Sequence, residues 1–325
     1  MNLRHIRYFC TLAECGFNMS RAAGLLHTSQ PSISRHIQAL EDELGIALLR
    51  RGKKRVTGLT VAGAEALKAA RRMLREADNL KKLGSEFSSH DSGRLVVTTS
   101  HTHAMYVLPK VLEAFARDYP KVQVNIRQGN PQQLTEWLVS GEADVSISST
   151  AVRPPPELAL LPCYEHPVVI LVPNRHPLLA KRTVSIRDLA DIPLITYNAE
   201  FSIHTRVMEA FKRGKTTPNI VLSATDVDVM KTYVKHGLGI AIMTSLGYDA
   251  KQDRGLKAID AKHLFGATRI HLGVRRFDCL RQYALHFIRL FSPELSPEVV
   301  TSEIFREEGG GEDAGATMWR PAGTA

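Results

Sequence analysis

Cysteine is scarce and unpaired in this sequence. The four copies among 325 residues, Cys10, Cys15, Cys163 and Cys279, form no CxxC pair and match no zinc-ligand spacing. That excludes a disulfide scaffold and predicts partly buried thiols in a reducing cytoplasm. Long apolar runs are missing too. No stretch approaches the roughly 18–20 apolar residues of a membrane span. Arg4, His5 and Arg7 interrupt the apolar run that an export signal needs. The expectation is a cytoplasmic protein without a membrane partner. Catalytic signatures are absent as well: neither GxSxG nor HExxH occurs. Gly237-Leu238-Gly239 precedes a strand pattern rather than opening a helix, so the dinucleotide fingerprint fails. His101 and His103 have no acidic or cysteine third ligand at useful spacing. These absences predict a non-enzyme with no catalytic residue, no metal and no resident cofactor.

What the sequence does have is positive charge in one place. The net charge is +9. Residues 1–90 hold 15 Lys and Arg against 8 Asp and Glu, a net of +7, which leaves +2 for the other 235 residues. A basic segment favours a polyanionic partner. Hydrophobic content is ordinary at 44%, and the length is that of two or three domains.

Within the basic segment, Ser20 to Leu44 (SRAAGLLHTSQPSISRHIQALEDEL) reads as helix, turn, helix. Ala22, Leu25 and Leu26 make one apolar face, and His27-Thr28 break it. Thr28 or Ser29 can cap the next helix, and Pro31 suits a first turn. Ile33, Ile37, Leu40 and Leu44 recur at helical spacing and require a core. Gln30, Ser32, Ser34, Arg35 and Gln38 then point away from it, as hydroxyls, amides and a guanidinium suited to phosphates and base edges. Alone, the segment fits a solvated helical hairpin equally well. Its surroundings decide. A first helix over 3–15 carries Leu3, Ile6, Phe9, Cys10 and Ala13 as its apolar face, with Gly16 as its stop. After Gly45, a short strand over Ile46–Leu49 leads into Arg50-Arg51-Gly52-Lys53-Lys54-Arg55 and then Val56-Thr57. That is a basic hairpin tip, a wing able to lie along a phosphate backbone. Thr60 can cap a helix to about Phe87. Leu67, Ala70, Leu74, Ala77 and Leu80 give it a near-heptad seam roughly 40 Å long. The seam predicts a partner helix from a second copy.

From Arg94 the pattern alternates. Strands are expected at 95–97, 122–126, 144–148, 168–172, 194–196, 220–222, 239–243 and 269–274. Helices are expected at 109–119, 132–140, 186–189, 203–213, 226–235 and 280–290. The alternation indicates a parallel α/β sheet in two lobes with a cleft at the strand ends. Lobe I takes about 91–165 and 266–300, lobe II about 166–265. The polar, glycine-rich 301–325 is expected to be a disordered tail.

On LRHIRYFCTLAE, SRAAGLLHTSQPSISRHIQALEDELGIALLRR and LTVAGAEAL, the chain resembles a LysR-type transcriptional regulator over about residues 2–300. Its C-terminal segments TTSHTHAMYVLP, RQGNPQQL, LPCYEHP, HPL with LADIPLITY, and ATDVDVMKTYVKHGLGIAI are similar to the CysB-like, cysteine-regulon branch. The resemblance implies a winged helix-turn-helix domain (1–59), a linker and dimerisation helix (60–90) and a two-lobed periplasmic-binding-protein-like effector domain (91–300). It implies a regulator, mainly an activator, of sulfur assimilation and cysteine biosynthesis genes. Its partners would be double-stranded promoter DNA, RNA polymerase and further copies of itself, from homodimer to homotetramer. On DNA it points to Ser29, Gln30, Pro31, Ser32, Ser34, Arg35 and Gln38, with Arg51, Lys53 and Lys54 from the wing.

For the effector, the turn at Ser100, Thr102 and His103 is the first candidate, with Gln128, Asn130, Ser149, Thr150, Tyr197, Ser202 and Thr225. Singly, such residues are ordinary helix caps and turns; as a set spread over both lobes they point to a pocket. The implied effectors are O-acetylserine, N-acetylserine, sulfate or adenosine phosphosulfate. Ser100, Ser149, Ser202 and His103 stand where the branch pattern has threonines and a glutamine, and His166 stands where it has a tryptophan. A regulator of sulfonate or sulfate-ester use fits that departure. A solute-binding receptor also uses a bilobal α/β fold, but the basic N-terminal domain argues against it.

Overall fold

A computed structural model describes residues 2–52, 56–88, 92–149 and 154–306. The chain forms two compact units, residues 1–88 and 89–325. Lys53, Lys54 and Thr150 lie outside the described residues, as does the tail from 307 onward.

The first unit contains helices α1 (Leu3–Glu14), α2 (Met19–Leu25) and α3 (Gln30–Leu44). Strands β1 (Leu49–Arg51) and β2 (Val56–Leu59) follow, and then helix α4 (Val61–Ser88). Asn18 caps α2, and Ser29 caps α3 by accepting the Ser32 N–H. Pro31 sits in the first turn of α3, and Gly45 ends it in the left-handed region at φ +68°, where a side chain would be strained. The turn between α2 and α3 bends through His27 at φ +47°. Ile33 and Ile37 are fully buried against Ile6, Phe9 and Leu12. Each such burial contributes about 1.5–3 kcal/mol, more than a cap does. One expectation fails here. Leu25 is 62% exposed, and Ala22 and Ala23 take its place in the core. The small residues let α2 approach α3 closely.

The first wing strand also begins later than the apolar run suggests. Ile46 is 44% exposed, and β1 pairs antiparallel with β2 only from Leu49, opposite Leu59. The backbone before it is used elsewhere: Leu48 C=O accepts the Thr60 N–H. Thr60 Oγ1 accepts the Gly63 N–H at 2.8 Å and so caps α4. Leu67 and Ala70 of α4 are buried in the core of their own unit, with Leu74 packed beside them. Only the later part of the seam, with Leu80 71% exposed, is left without apolar cover among the described residues.

The second unit runs β3 (Ser92–Thr99), α5 (His101–Tyr106), α6 (Leu108–Asp118), β4 (Lys121–Gln128), α7 (Pro131–Ser140), β5 (Val145–Ser148) and β6 (Leu158–Pro173). It continues through β7 (Pro193–Tyr197), α8 (Ser202–Arg213), β8 (Asn219–Ala224), α9 (Val227–Lys235) and β9 (Ile240–Thr244). It ends with β10 (Leu256–Asp260), α10 (Lys262–Phe265), β11 (Ala267–Arg275), α11 (Gln282–Phe291) and α12 (Pro297–Ile304). The expected element at 186–189 is a short 3-10 turn. Helix α12 buries Val300 and Ile304, so an ordered element enters the span read as tail.

The strand order is β4-β3-β5-β11-β6-β9-β7-β8, with β10 on β6. Pairs β3–β4, β3–β5, β7–β8 and β7–β9 are parallel, as expected. Strands β6 and β11 correct the all-parallel reading. Strand β11 is antiparallel to β5 and β6, and β6 is antiparallel to β9 and β10. These two strands carry the chain from one lobe to the other and back, so each enters its sheet against the direction of the βα units. The crossing lies where Pro167 pairs with Ala267 and Val168 pairs with Thr244. Each lobe has its own core, around Val97, Phe115 and Phe287 in one and around Ile170, Phe211 and Ile242 in the other.

Candidate functional site

On the first unit, the outer face of α3 presents Gln30, Pro31, Arg35 and Gln38 to solvent, with Ser29 at its cap and Ser32 and Ser34 half-buried. Arg35 is thus displayed as the amphipathic pattern requires. Gln30 Nε2 donates to Ser20 Oγ at 2.9 Å, which ties the start of α3 to α2. Gln38 is held on both sides: its Nε2 donates to Asp42, and its Oε1 accepts from Arg51. Arg51 also pairs with Glu41 Oε2 at 2.7 Å. The other oxygen of this buried carboxylate accepts the Leu48 and Leu49 N–H groups at 2.7 and 3.0 Å. Arg51 therefore anchors the wing to α3 as well as carrying charge to the surface. His36 packs edge-on to Tyr8 and against His5. Burial, then His5, Arg4 and Arg35, lower its pKa.

On the second unit, a cleft opens between the lobes. It lies where β3, β5, β7 and β9 end, the position at which open α/β sheets receive ligands. Ser100, Thr102 and His103 reach it from the start of α5, and Ser148 and Ser149 from the end of β5. Tyr197, Phe201, Ser202 and Ile203 come from the β7–α8 turn, Thr225 from the turn after β8, and Thr244 from the end of β9. Seven of the expected effector residues line it. Gln128 and Asn130 do not. Gln128 Oε1 faces His101 Nδ1 at 3.2 Å, and Asn130 forms a capping box with Gln133 at the start of α7. The residues of that loop that do line the cleft are Gly129 and Pro131. A Cβ on Gly129 would come within 2.9 Å of Gln133 and Trp137 atoms, so the loop needs glycine there.

Thr244 and Thr268 were missed. Thr244 carries the same signal as Ser149, a hydroxyl directly after an apolar strand. Thr268 has no local signal, since only the crossing of β11 brings it to the cleft.

Among the described residues, the lining offers four serines, four threonines, a tyrosine and one histidine, and no Asp, Glu, Lys or Arg. His103 Nδ1 lies 3.0 Å from Ser100 Oγ. Its pKa is pushed down to about 3 by burial and then by His166, so the ring is neutral. His166 is itself lowered to about 4 by burial. Burial raises the Tyr197 hydroxyl well above its usual range. The site is a set of neutral donors and acceptors, able to hold a small polar molecule.

Beside the cleft, α5 of lobe I is clasped to α9 of lobe II. Tyr106 OH donates to Asp228 Oδ1 and accepts from Lys231 Nζ, both at 2.6 Å. His101 Nε2 lies 3.1 Å from Asp228 Oδ2, and Lys231 also pairs with buried Asp253 at 3.1 Å. Burial opposes the Lys231 charge, but hydrogen bonds to Tyr106, Asp228 and Asp253 outweigh it and hold the ammonium above its usual pKa. The fold therefore brings Asp226 and Asp228 to His101, third-ligand candidates that sequence spacing did not show. The His101–His103 pairing does not form the group, and Lys231 already neutralises Asp228.

Comparison with known proteins agrees with this arrangement. Residues 3–64 match the bacterial regulatory helix-turn-helix protein, lysR family, and residues 88–296 match the LysR substrate binding domain. The chain is 39% identical to the HTH-type transcriptional regulator SsuR of Burkholderia cenocepacia over 94% of this chain and 99% of that one. It is 38% identical to the HTH-type transcriptional regulator CysB of the same organism over 94% and 97% of the two chains. The cofactor-binding domain of the Cbl transcriptional regulator superposes with a TM-score of 0.63 at 36% identity, covering 66% of this chain and 95% of that one. The chain belongs to the LysR family of bacterial regulatory helix-turn-helix proteins.

Proposed function

We propose that this regulator binds double-stranded promoter DNA as a homodimer or homotetramer in the cytoplasm. It acts mainly as an activator of sulfur assimilation and cysteine biosynthesis genes, through contact with RNA polymerase. Its DNA is read by the α3 face around Gln30 and Arg35, with the basic wing on the phosphates. Its effector is a small polar molecule held between the lobes: O-acetylserine, N-acetylserine, sulfate or adenosine phosphosulfate. The observation that carries the reading is a hydroxyl-lined cleft without charged side chains among the described residues, in a chain alike over nearly its full length to SsuR and CysB. Ser100, Ser149, Ser202 and His103 favour, as a second reading, a regulator of sulfonate or sulfate-ester use. Among the described residues, no helix is long and apolar enough to cross a membrane.

The test is a gel shift on promoters of sulfur-acquisition genes, with and without each effector, beside a genome-wide footprint under sulfur starvation. Binding shifted by one effector is expected, and failure to bind any promoter overturns the reading. Arg35→Ala is expected to relax base preference at a cost of about 1–3 kcal/mol, whereas Lys53→Ala weakens all DNA alike and flattens the salt slope.

A further inference from the structure

A serine or threonine hydroxyl donates or accepts as its neighbours require, so most of the cleft lining is ambiguous. Thr268 is not. Its Oγ1 accepts an N–H from Arg206 Nη2 at 2.6 Å, which leaves its own proton to point elsewhere. Thr268 is 5% exposed and lines the cleft. Arg206, on α8 of lobe II, gives its other hydrogen bonds to the Ala267 and Ser202 carbonyls. All three acceptors are uncharged. Burial lowers the pKa of Arg206, and no carboxylate faces it among the described residues. The guanidinium stays charged. A half-buried cation without a counter-anion thus sits one hydroxyl behind a cleft whose lining, among the described residues, carries no charge. A desolvated charge left unpaired is costly, and an anion in the cleft removes that cost. A second observation points to the same cleft: Nε2 of His103, a residue 5% exposed and part of the lining, has no hydrogen-bond partner among the described residues.

We propose that Arg206 is the residue that selects an anionic effector. It polarises Thr268, whose hydroxyl donates to a negatively charged oxygen in the cleft. A hydroxyl that accepts from a cation is the stronger donor. Arg206 is a positioning residue, since it acts through Thr268. The inference rests on the reading of the cleft as the effector site.

The experiment is calorimetric titration of the full chain with sodium sulfate at pH 7. Arg206→Met is expected to lower sulfate affinity about tenfold to a hundredfold, as for removal of one partner of a desolvated charge pair. Arg206→Lys, which keeps the charge and one donor, restores it to within about threefold, a rescue that a purely structural role does not give. Thr268→Val loses as much as Arg206→Met, and the double variant loses no more. Thr268→Val also keeps the test open if Arg206→Met unfolds. Sulfate uptake unaltered in Arg206→Met and Thr268→Val, or an Arg206→Lys variant as weak as Arg206→Met, overturns the role of Arg206. A wild-type chain that takes up no sulfate, or uptake indifferent to Ser149→Ala, overturns the anion-cleft reading itself.

Discussion

Two histidines behind the cleft are buried in a way that leaves no room for charge. His103 is held neutral down to about pH 3 and His166 to about pH 4. An unfolded histidine takes up its proton near pH 6.5. Above that pH both states are neutral and neither ring affects stability. As pH falls from about 6.5 toward 4, the unfolded chain binds protons that the folded chain refuses, so stability drops. Each ring contributes a slope of about 1.4 kcal/mol per pH unit. Denaturant unfolding of the second unit at pH 4.5, 5.5 and 6.5 measures this. His103→Gln is expected to flatten the slope by about 1.4 kcal/mol per pH unit, even if it changes stability at pH 7. Identical slopes would show that His103 is already protonated in the fold. At this scale the sequence shows a residue's chemistry but not its surroundings. The pattern SHTH marks Ser100, His101, Thr102 and His103 alike, and only burial separates His103, in the cleft, from His101, on Asp228.

At the scale of elements, the wing depends on one carboxylate from α3. Glu41 lies on the buried side of α3 and holds the Leu48 and Leu49 amides, at the entry to β1, together with Arg51. Glu41→Ala leaves the Leu48 and Leu49 N–H groups without an acceptor, at an expected cost of about 2–4 kcal/mol. Arg51 is half exposed, so Arg51→Ala costs under about 1 kcal/mol. Amide hydrogen exchange reads the difference: Leu48 and Leu49 exchange faster in the first variant and little changed in the second. Equal protection in both would remove Glu41 as the anchor. The helices of this unit were legible because caps and apolar spacing are local: Ser29, Pro31 and Gly45 bracket α3 by themselves. Leu25 and the start of β1 were not legible. Their outcome depends on how closely α2 meets α3 and on which amides Glu41 and Thr60 already use.

At the scale of the molecule, the second unit is two lobes joined by β6 and β11 and clasped at α5 and α9. On the proposed reading, an effector that touches Ser100 and Ser149 on one lobe and Ser202 and Thr225 on the other would favour the same lobe arrangement as the Asp228 clasp. The two contributions are therefore coupled. Asp228→Asn removes the charge that faces Lys231 and weakens the contact to His101. It is expected to lower effector affinity about tenfold, or about 1.4 kcal/mol, and to speed exchange along α5 and α9. Unchanged exchange in α5 and α9 would show that the clasp does not hold the lobes.

The sequence by itself determined most of the helices and strands, the basic N-terminal segment and the hydroxyl character of the strand ends, because caps, periodicity and charge act over a few residues. The tertiary structure decided which of those hydroxyls share a cleft. It reversed β6 and β11 against their neighbours, turned Gln128 and Asn130 aside, and set Arg206 behind Thr268, because each of these depends on contacts between residues far apart in the chain.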